Sequence, residues 1–233
     1  MDYLTAYSLQ YIQLEIQHEQ WVRKLAPFRR FLPVAAQMNG KILNFSRIAQ
    51  DVGVDTTTIQ SYYEILEDTL LGKFVYGFDH SIRKQMRKAP KFYFFDVGVK
   101  RAVSGEVDIP VRPGTSAYGE AFEHWFYTEL DRVLNNRHAP FRIQYLLTKD
   151  QAEVDFVVTR PGSVPTLIEV KSTDQVNDGD ARTLNRFADD FKGSPLFLAS
   201  RDPVERKFGK VWALPWEKVI HEIEVLAKGR SRV

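Results

Sequence analysis

Charged residues recur inside two neighbouring apolar segments, and this pattern constrains the fold more than any other feature of the chain. Residues 153–158 and 167–171 each have the length and apolar content of a buried strand. Residues 160–163 (Arg-Pro-Gly-Ser) separate them and form a turn signal. We therefore expect two adjacent strands joined by a tight loop, with Glu169 and Lys171 on one face because side chains alternate along a strand.

The same pair of strands brings a second carboxylate within reach. Asp155 lies on the first strand, and a hairpin places it beside Glu169. A charge on an apolar strand is costly unless it is paired or binds a metal ion. Carboxylate oxygens suit Mg²⁺, and a neighbouring lysine suits a phosphate or an attacking water. The pattern leaves two alternatives open, a salt-bridged hairpin and a phosphodiesterase site.

Composition excludes several classes of site. The 233 residues include no cysteine, so disulfides and thiolate metal sites are excluded. The phosphate-binding motif G-x-x-x-x-G-K-[ST] does not occur, so we expect no ATP site in this chain. The formal net charge is only +2, so nucleic-acid binding depends on local basic patches. Without a signal peptide or a membrane-spanning apolar run, we expect a cytoplasmic protein that does not bind membranes.

The chain divides by pattern into four parts. Residues 1–26 predict a helix with a largely aromatic apolar side, which favours either core packing or docking on a domain absent from this chain. Residues 27–103 predict a helical domain that ends in two strands. Residues 104–117 are rich in turn formers and predict a linker, and residues 118–233 predict an α/β layered domain. The expected fold class is α+β.

The helices of residues 27–103 have the spacing of a helix-turn-helix. Ser46 is the predicted N-cap of a short helix, Gly53 lies in the following turn, and residues 57–68 form the second helix. Its exposed start carries Thr57 and Gln60, which are candidate DNA contacts.

Two further segments, residues 73–78 and 91–95, predict the two strands of a wing. Because basic wings contact DNA phosphates, we expect DNA binding through the wing. The predicted wing tip carries the candidate contacts Arg83, Lys84, Arg87, Lys88 and Lys91. The acidic end of the second helix leaves a wing used for protein contact as the alternative.

The C-terminal part predicts a regular succession of elements. A strong helix at 118–134 precedes a strand at 141–147 and the two charged strands. The remaining expected elements are a helix at 178–191, strands at 195–199 and 210–214, and a helix at 215–226.

Residues 118–200 resemble the core of the PD-(D/E)XK (restriction-endonuclease-like) fold. The similarity depends on Glu123 in Gly-Glu-Ala-Phe-Glu, Asp155 in Glu-Val-Asp, and Glu169 and Lys171 in Ile-Glu-Val-Lys. In that family the helix glutamate, the aspartate and the second glutamate hold Mg²⁺, and the lysine assists catalysis. The resemblance therefore implies catalytic Glu123, Asp155, Glu169 and Lys171, with the three acids binding Mg²⁺ or Mn²⁺; Glu120 is the fallback for the helix position.

Nearly the whole chain is similar to the C-terminal region of prokaryotic AAA+-type ATPases, which join an ATPase domain to a winged helix and a nuclease-like domain of unassigned function. The matching segments include residues 63–68 (Tyr-Glu-Ile-Leu-Glu-Asp) and residues 90–98 (Pro-Lys-Phe-Tyr-Phe-Phe-Asp-Val-Gly). The ATPase domain itself is missing, so a fragment and a stand-alone relative are both open. The resemblance implies DNA as a partner, and an ATPase domain or subunit contacted through the N-terminal aromatic helix; a homo-oligomer is also open.

Two functions follow from these residues. The first is a Mg²⁺-dependent endodeoxyribonuclease that hydrolyses phosphodiester bonds. The second is a DNA- or protein-binding regulatory module that keeps the nuclease-like fold without turnover, because a fold does not guarantee its chemistry.

Overall fold

The computed structural model describes residues 25–79, 81, 85, 88–136 and 140–227. Helices and a mixed set of strands confirm the α+β class. The chain forms two compact units, which within the described ranges comprise residues 25–75 with 89–110, and residues 76–88 with 111–227. The predicted N-terminal helix lies almost entirely outside the described residues. Within them, no helix combines the length and the apolar character that crossing a membrane requires.

The first unit consists of helices around a small hairpin. Its elements are α1 (Leu25–Gln37), α2 (Phe45–Val52), α3 (Thr56–Asp68), β1 (Gly72–Gly77), β2 (Lys91–Phe94) and α4 (Val97–Val103). The strands pair antiparallel from Gly72 opposite Phe94 to Val75 opposite Lys91. The two predicted wing strands are therefore confirmed as an antiparallel pair, whereas α4 was not expected from the sequence.

Side-chain caps fix where the helices of the first unit begin. Asn44 accepts a hydrogen bond from the backbone N–H of Arg47 at 3.0 Å and so caps α2. The prediction of Ser46 as this cap is wrong, since Ser46 is already the second helical residue. Asp55 caps α3 in the same way, accepting from the N–H of Thr58 at 2.7 Å.

Aromatic side chains fill the core of the first unit. The ring of Tyr63 on α3 lies 4.9 Å from Phe31 and 5.1 Å from Phe92, centroid to centroid, in edge-on geometry. Helix α3 therefore packs against both α1 and the hairpin. Gly53 ends α2 with a left-handed φ of 77°, which lets the chain turn directly into α3.

The second unit is a mixed sheet with helices on both faces. Its elements are α5 (Ser116–Asn135), β3 (Arg142–Leu147), β4 (Glu153–Thr159), β5 (Thr166–Lys171), α6 (Arg182–Phe187), β6 (Leu196–Ser200), β7 (Arg206–Phe208), β8 (Val211–Pro215) and α7 (Trp216–Ala227). Residues 76–77 of β1 start the sheet, followed in space by β3, β4, β5, β6, β8 and β7. Strand β5 pairs antiparallel with β4 and parallel with β6.

Consecutive residues of β4 show which helices cover which face. Phe156 stacks on Phe126 of α5, with ring centroids 6.0 Å apart. Val157 belongs instead to the apolar cluster that contains Leu184 and Phe187 of α6. Since neighbouring residues of a strand point to opposite faces, α5 and α6 lie on opposite sides of the sheet.

The structure shortens one predicted helix and adds one strand. The expected helix at 178–191 is reduced to α6, because Asn177 turns the preceding chain: its side-chain oxygen accepts from the N–H of Gly179 at 2.8 Å. Strand β7 was not expected, and its three residues form the edge of the sheet beside β8. The other predicted helices and strands of this unit are confirmed within a few residues.

Candidate active site

The site begins where β4 and β5 stop pairing through their backbones. The described ladder ends at Phe156 opposite Ile168, and Asp155 lies one residue beyond it. There the Oδ2 atom of Asp155 accepts a hydrogen bond from the backbone N–H of Val170 at 2.8 Å. A side-chain carboxylate thus satisfies a backbone donor of β5, which holds Asp155 next to Glu169.

Glu169 places a carboxylate inside this strand environment. The residue is buried, with 6% of its surface exposed. Its Oε1 atom accepts a hydrogen bond from Nζ of Lys171 at 2.8 Å. Its Oε2 atom is buried and has no hydrogen-bond partner among the described residues. Such an orphaned acceptor is expensive in a folded protein, so it is the feature of the site that most needs a physical reason.

Burial is the largest influence on the protonation of Glu169. Burial raises the pKa of Glu169 to about 8, repulsion from Asp155 and Glu123 acts in the same direction, and the attraction of Lys171 opposes both. The neutral acid is therefore favoured at pH 7. An additional cation near Oε2 would favour the carboxylate instead.

Lys171 keeps its positive charge. Burial acts to lower the pKa of Lys171, but the attraction of Glu169, Asp155 and Asp180 outweighs it, so the net shift is upward. The ammonium remains partly accessible, because 38% of the side chain is exposed. Lys171 is thus suited to hold or stabilise an anion, and it is unsuited to act as a general base.

Asp180 is a member of this environment that sequence reasoning missed. It lies in the turn before α6, where its carboxylate accepts a hydrogen bond from the N–H of Asn177 at 2.9 Å. Its charge contributes to the raised pKa of Lys171. An aspartate in a Gly- and Asn-containing turn has a sufficient local explanation, so no sequence signal distinguishes Asp180.

Helix α5 supplies the fourth predicted residue, Glu123. Its charge is close enough to raise the pKa of Glu169. The first turns of α5 lie against the chain just beyond Lys171, since a Cβ atom added at Gly119 would be 3.8 Å from Oγ of Ser172. The structure therefore brings Glu123, Asp155, Glu169 and Lys171 into one electrostatic environment, whereas Glu120 is exposed.

A complete metal-ligand sphere is not formed by these groups. Within the described ranges, no three histidine, aspartate or glutamate side chains are close enough together to hold a metal ion. The Mg²⁺ or Mn²⁺ site of Glu123, Asp155 and Glu169 thus stays a prediction. The observation in its favour is the unsatisfied Oε2 of Glu169, an oxygen of the type that hard divalent cations bind.

The two predicted DNA contacts on α3 are exposed but lie beside acidic residues. Thr57 and Gln60 are exposed on α3, on the same surface as Glu64 and Asp68. Their accessibility fits the prediction, but the acidic neighbours would repel a phosphate.

The basic residues of the predicted wing divide into three cases. Arg83, Lys84 and Arg87 lie outside the described residues. Lys88 pairs with Asp79, with Nζ 3.6 Å from Oδ2. The placement of Lys91 on an exposed wing tip is wrong, because it is the first residue of β2 and is 3% exposed.

Comparison with known proteins gives two domains of unassigned function. Residues 1–108 match the family described as "Domain of unknown function (DUF8612)", and residues 118–219 match "Domain of unknown function (DUF4143)". Two curated relatives are uncharacterized protein Mb2031c of Mycobacterium bovis and uncharacterized protein Rv2008c of Mycobacterium tuberculosis, each 27% identical over 148 residues. The alignment covers 64% of this chain and 32% of each relative, so the chain spans about a third of their length. No solved structure matches significantly.

Proposed function

We propose that this chain is a divalent-metal-dependent DNA-processing module whose second unit hydrolyses phosphodiester bonds. The observation that carries this proposal is the buried, unsatisfied Oε2 of Glu169 beside a second carboxylate and a protonated lysine. This combination of residues on adjacent strands is the one that the PD-(D/E)XK resemblance implies. The site is therefore buried and rich in carboxylates. It already contains one cation, the ammonium of Lys171, and a second cation would compensate the remaining negative charge.

The roles of the residues follow from their contacts. Asp155 and Glu169 would hold Mg²⁺ or Mn²⁺, with Glu123 as the third acid. When bound, the ion would lower the pKa of a water molecule and neutralise charge on the phosphate. Lys171 keeps its proton and is held at 2.8 Å by Glu169, so it supplies a fixed positive charge for the developing anion.

The first unit would contribute DNA binding as a winged helix. Helices α1, α2 and α3, followed by the antiparallel pair of β1 and β2, have the element order of that module. The exposed Thr57 and Gln60 on α3 are the available contacts among the described candidates. Because the acids on the same surface repel phosphates, we expect α3 to contribute less to DNA binding than the basic wing residues.

An ATPase domain or subunit is the proposed partner. The resemblance to the C-terminal region of AAA+-type ATPases supports it, and this chain has no phosphate-binding loop of its own. Both curated relatives extend well beyond the matched part. We propose that the aromatic segment before residue 25 contacts the ATPase, in the cytoplasm.

Incubation of supercoiled plasmid with the full chain and Mg²⁺ tests the proposed hydrolysis. Wild type should nick or linearise the plasmid, and Glu169→Gln and Lys171→Ala should each lose most of that activity. Asp150→Asn is the matched control, because Asp150 is an exposed carboxylate paired with Arg186. Equal nicking by all variants, or none by wild type with Mg²⁺ or Mn²⁺, would contradict the proposal.

The second candidate is a DNA- or protein-binding regulatory module without turnover. The observation that favours it is the 2.8 Å contact between Nζ of Lys171 and Oε1 of Glu169, which engages both groups without a metal ion. In that case wild type would retain DNA without cutting it, and Glu169→Gln would leave retention unchanged.

A further inference from the structure

Arg201 is an exposed residue for which no carboxylate partner is found among the described residues. It follows the last residue of β6. Among the residues that the structure describes, no Asp or Glu side chain forms an ion pair with it, and its one described side-chain contact is the ring of Tyr118, 5.4 Å from the guanidinium carbon to the centroid. An aromatic ring orients a guanidinium while leaving its charge uncompensated.

Several other cations of this unit are neutralised by nearby carboxylates. The neighbouring Asp202 does not neutralise Arg201, because it accepts from the backbone of Val176 and Val204 and pairs with Arg206. Other described pairs in this unit include Arg132 with Glu129, Arg186 with Asp150, Lys210 with Asp189, and Lys218 with Glu205. Arg201 therefore retains a charge that the adjacent Asp202 does not compensate.

The backbone of Arg201 is held firmly. Its N–H donates to the carbonyl of Thr173 at 3.0 Å, and it lies between two buried residues, Ser200 and Asp202. The N–H of Asp202 donates to Oγ of Ser200 at 3.2 Å. An arginine anchored on both sides loses less entropy on binding a ligand than one on a mobile loop.

The position of Arg201 relates it to the candidate active site. Ser200 is the parallel-strand partner of Lys171, so Arg201 lies one residue beyond Lys171 at the carboxyl edge of the sheet. Adjacent strands are about 4.8 Å apart, so the two backbones are close neighbours. Tyr118 belongs to the same turn of α5 as Gly119, which approaches Ser172. Ligands of α/β sheets commonly bind outside this edge.

We propose that Arg201, oriented by Tyr118, binds a backbone phosphate of the nucleic acid next to the phosphate that faces Lys171. The inference rests on the proposed function for the identity of the substrate. Arg201 is a specificity-determining residue in this view: it favours a chain of phosphodiesters over an isolated phosphate ester. A guanidinium suits this role because it can donate two parallel hydrogen bonds to one phosphate.

Binding of a fluorescent DNA oligonucleotide, measured by anisotropy in EDTA over a series of salt concentrations, tests the inference without cleavage. Arg201→Ala should weaken binding about tenfold and reduce the salt slope by about one phosphate contact. Arg201→Lys should keep the salt slope of wild type and recover part of the affinity that Arg201→Ala loses. Tyr118→Leu should weaken binding less than Arg201→Ala, because it removes the ring that orients Arg201 but leaves the positive charge of Arg201 in place.

Lys192→Ala is the matched control. Lys192 is exposed, has no described ion pair, and precedes β6 at the end opposite Arg201, so its loss changes the net charge equally. Equal effects of Arg201→Ala and Lys192→Ala, or no DNA binding by wild type, would overturn the inference. Binding that depends on Arg201 without plasmid cleavage would support it and refute hydrolysis. Plasmid cleavage by wild type, together with a salt slope that is unchanged in Arg201→Ala, would support hydrolysis and refute the inferred role of Arg201.

Discussion

Asp155 accepts a hydrogen bond from the backbone N–H of Val170, 2.8 Å from Oδ2 to N, at the end of the described pairing between β4 and β5. One carboxylate therefore has two consequences. It satisfies a backbone donor in a buried strand, and its charge raises the pKa of the neighbouring Glu169. The structural and the electrostatic contributions of Asp155 are separable by substitution.

Replacement of Asp155 by alanine should destabilise the second unit, whereas asparagine should be tolerated. Alanine leaves the N–H of Val170 without its acceptor, which costs about 1–3 kcal/mol for a buried group. Asparagine keeps an acceptor oxygen and removes the charge. Urea denaturation of both variants measures the difference in the free energy of unfolding. If both variants lose the same stability, the hydrogen bond to Val170 does not contribute as described.

The pKa of Glu169 gives a stability that depends on pH. It is raised from 4.5 to about 8 in the folded state, so folding favours the protonated acid. The contribution of Glu169 to the free energy of unfolding is complete below about pH 4.5 and is lost as the pH rises through 8. Relative to Glu169→Gln, the free energy of unfolding of wild type should fall across this window, by at most about 1.4 kcal/mol per pH unit. A difference that does not change with pH would refute the raised pKa.

Two glycines should respond in opposite directions to alanine. A Cβ atom at Gly72 would overlap the ring of Phe92 and the carbonyl oxygen of Tyr93, so Gly72→Ala should cost about 1–3 kcal/mol. A Cβ atom at Gly119 would make an ordinary contact with Ser172 inside helix α5, so Gly119→Ala should stabilise by about 0.5–1 kcal/mol. Thermal unfolding of the two variants provides the comparison. Destabilisation by Gly119→Ala would mean that α5 approaches β5 more closely than described.

The strands of the site were predictable because their chemistry is unusual for their context. Alternating apolar residues identify β4 and β5, and Asp155, Glu169 and Lys171 stand out because charges are rare on buried strands. The hydrogen bond from Val170 and the orphaned Oε2 of Glu169 were not predictable, since both depend on where two strands diverge. Asp180 was missed because it approaches Lys171 only through the fold.

The incorrect predictions concern residues whose local sequence is compatible with more than one structure. Ser46 and Asn44 are both good cap residues, and the backbone conformation of Asn44 decided between them. Lys91 was assigned to a wing tip by its basic neighbours, but its position at the start of β2 buries it. The apolar pattern of residues 178–191 resembles a helix throughout, yet the turn formed by Asn177 and Asp180 delays its start.

Calorimetric titration of Mg²⁺ or Mn²⁺ into wild type and Glu169→Gln at pH 7 tests most directly whether the buried Glu169 is a cation ligand. Repeating the titration in buffers of different ionisation enthalpy reports the protons released. We predict one saturable site in wild type, with release of a proton because the pKa of Glu169 lies near 8. Glu169→Gln should lose both the site and the proton. Indistinguishable isotherms for the two proteins would contradict the proposed metal site.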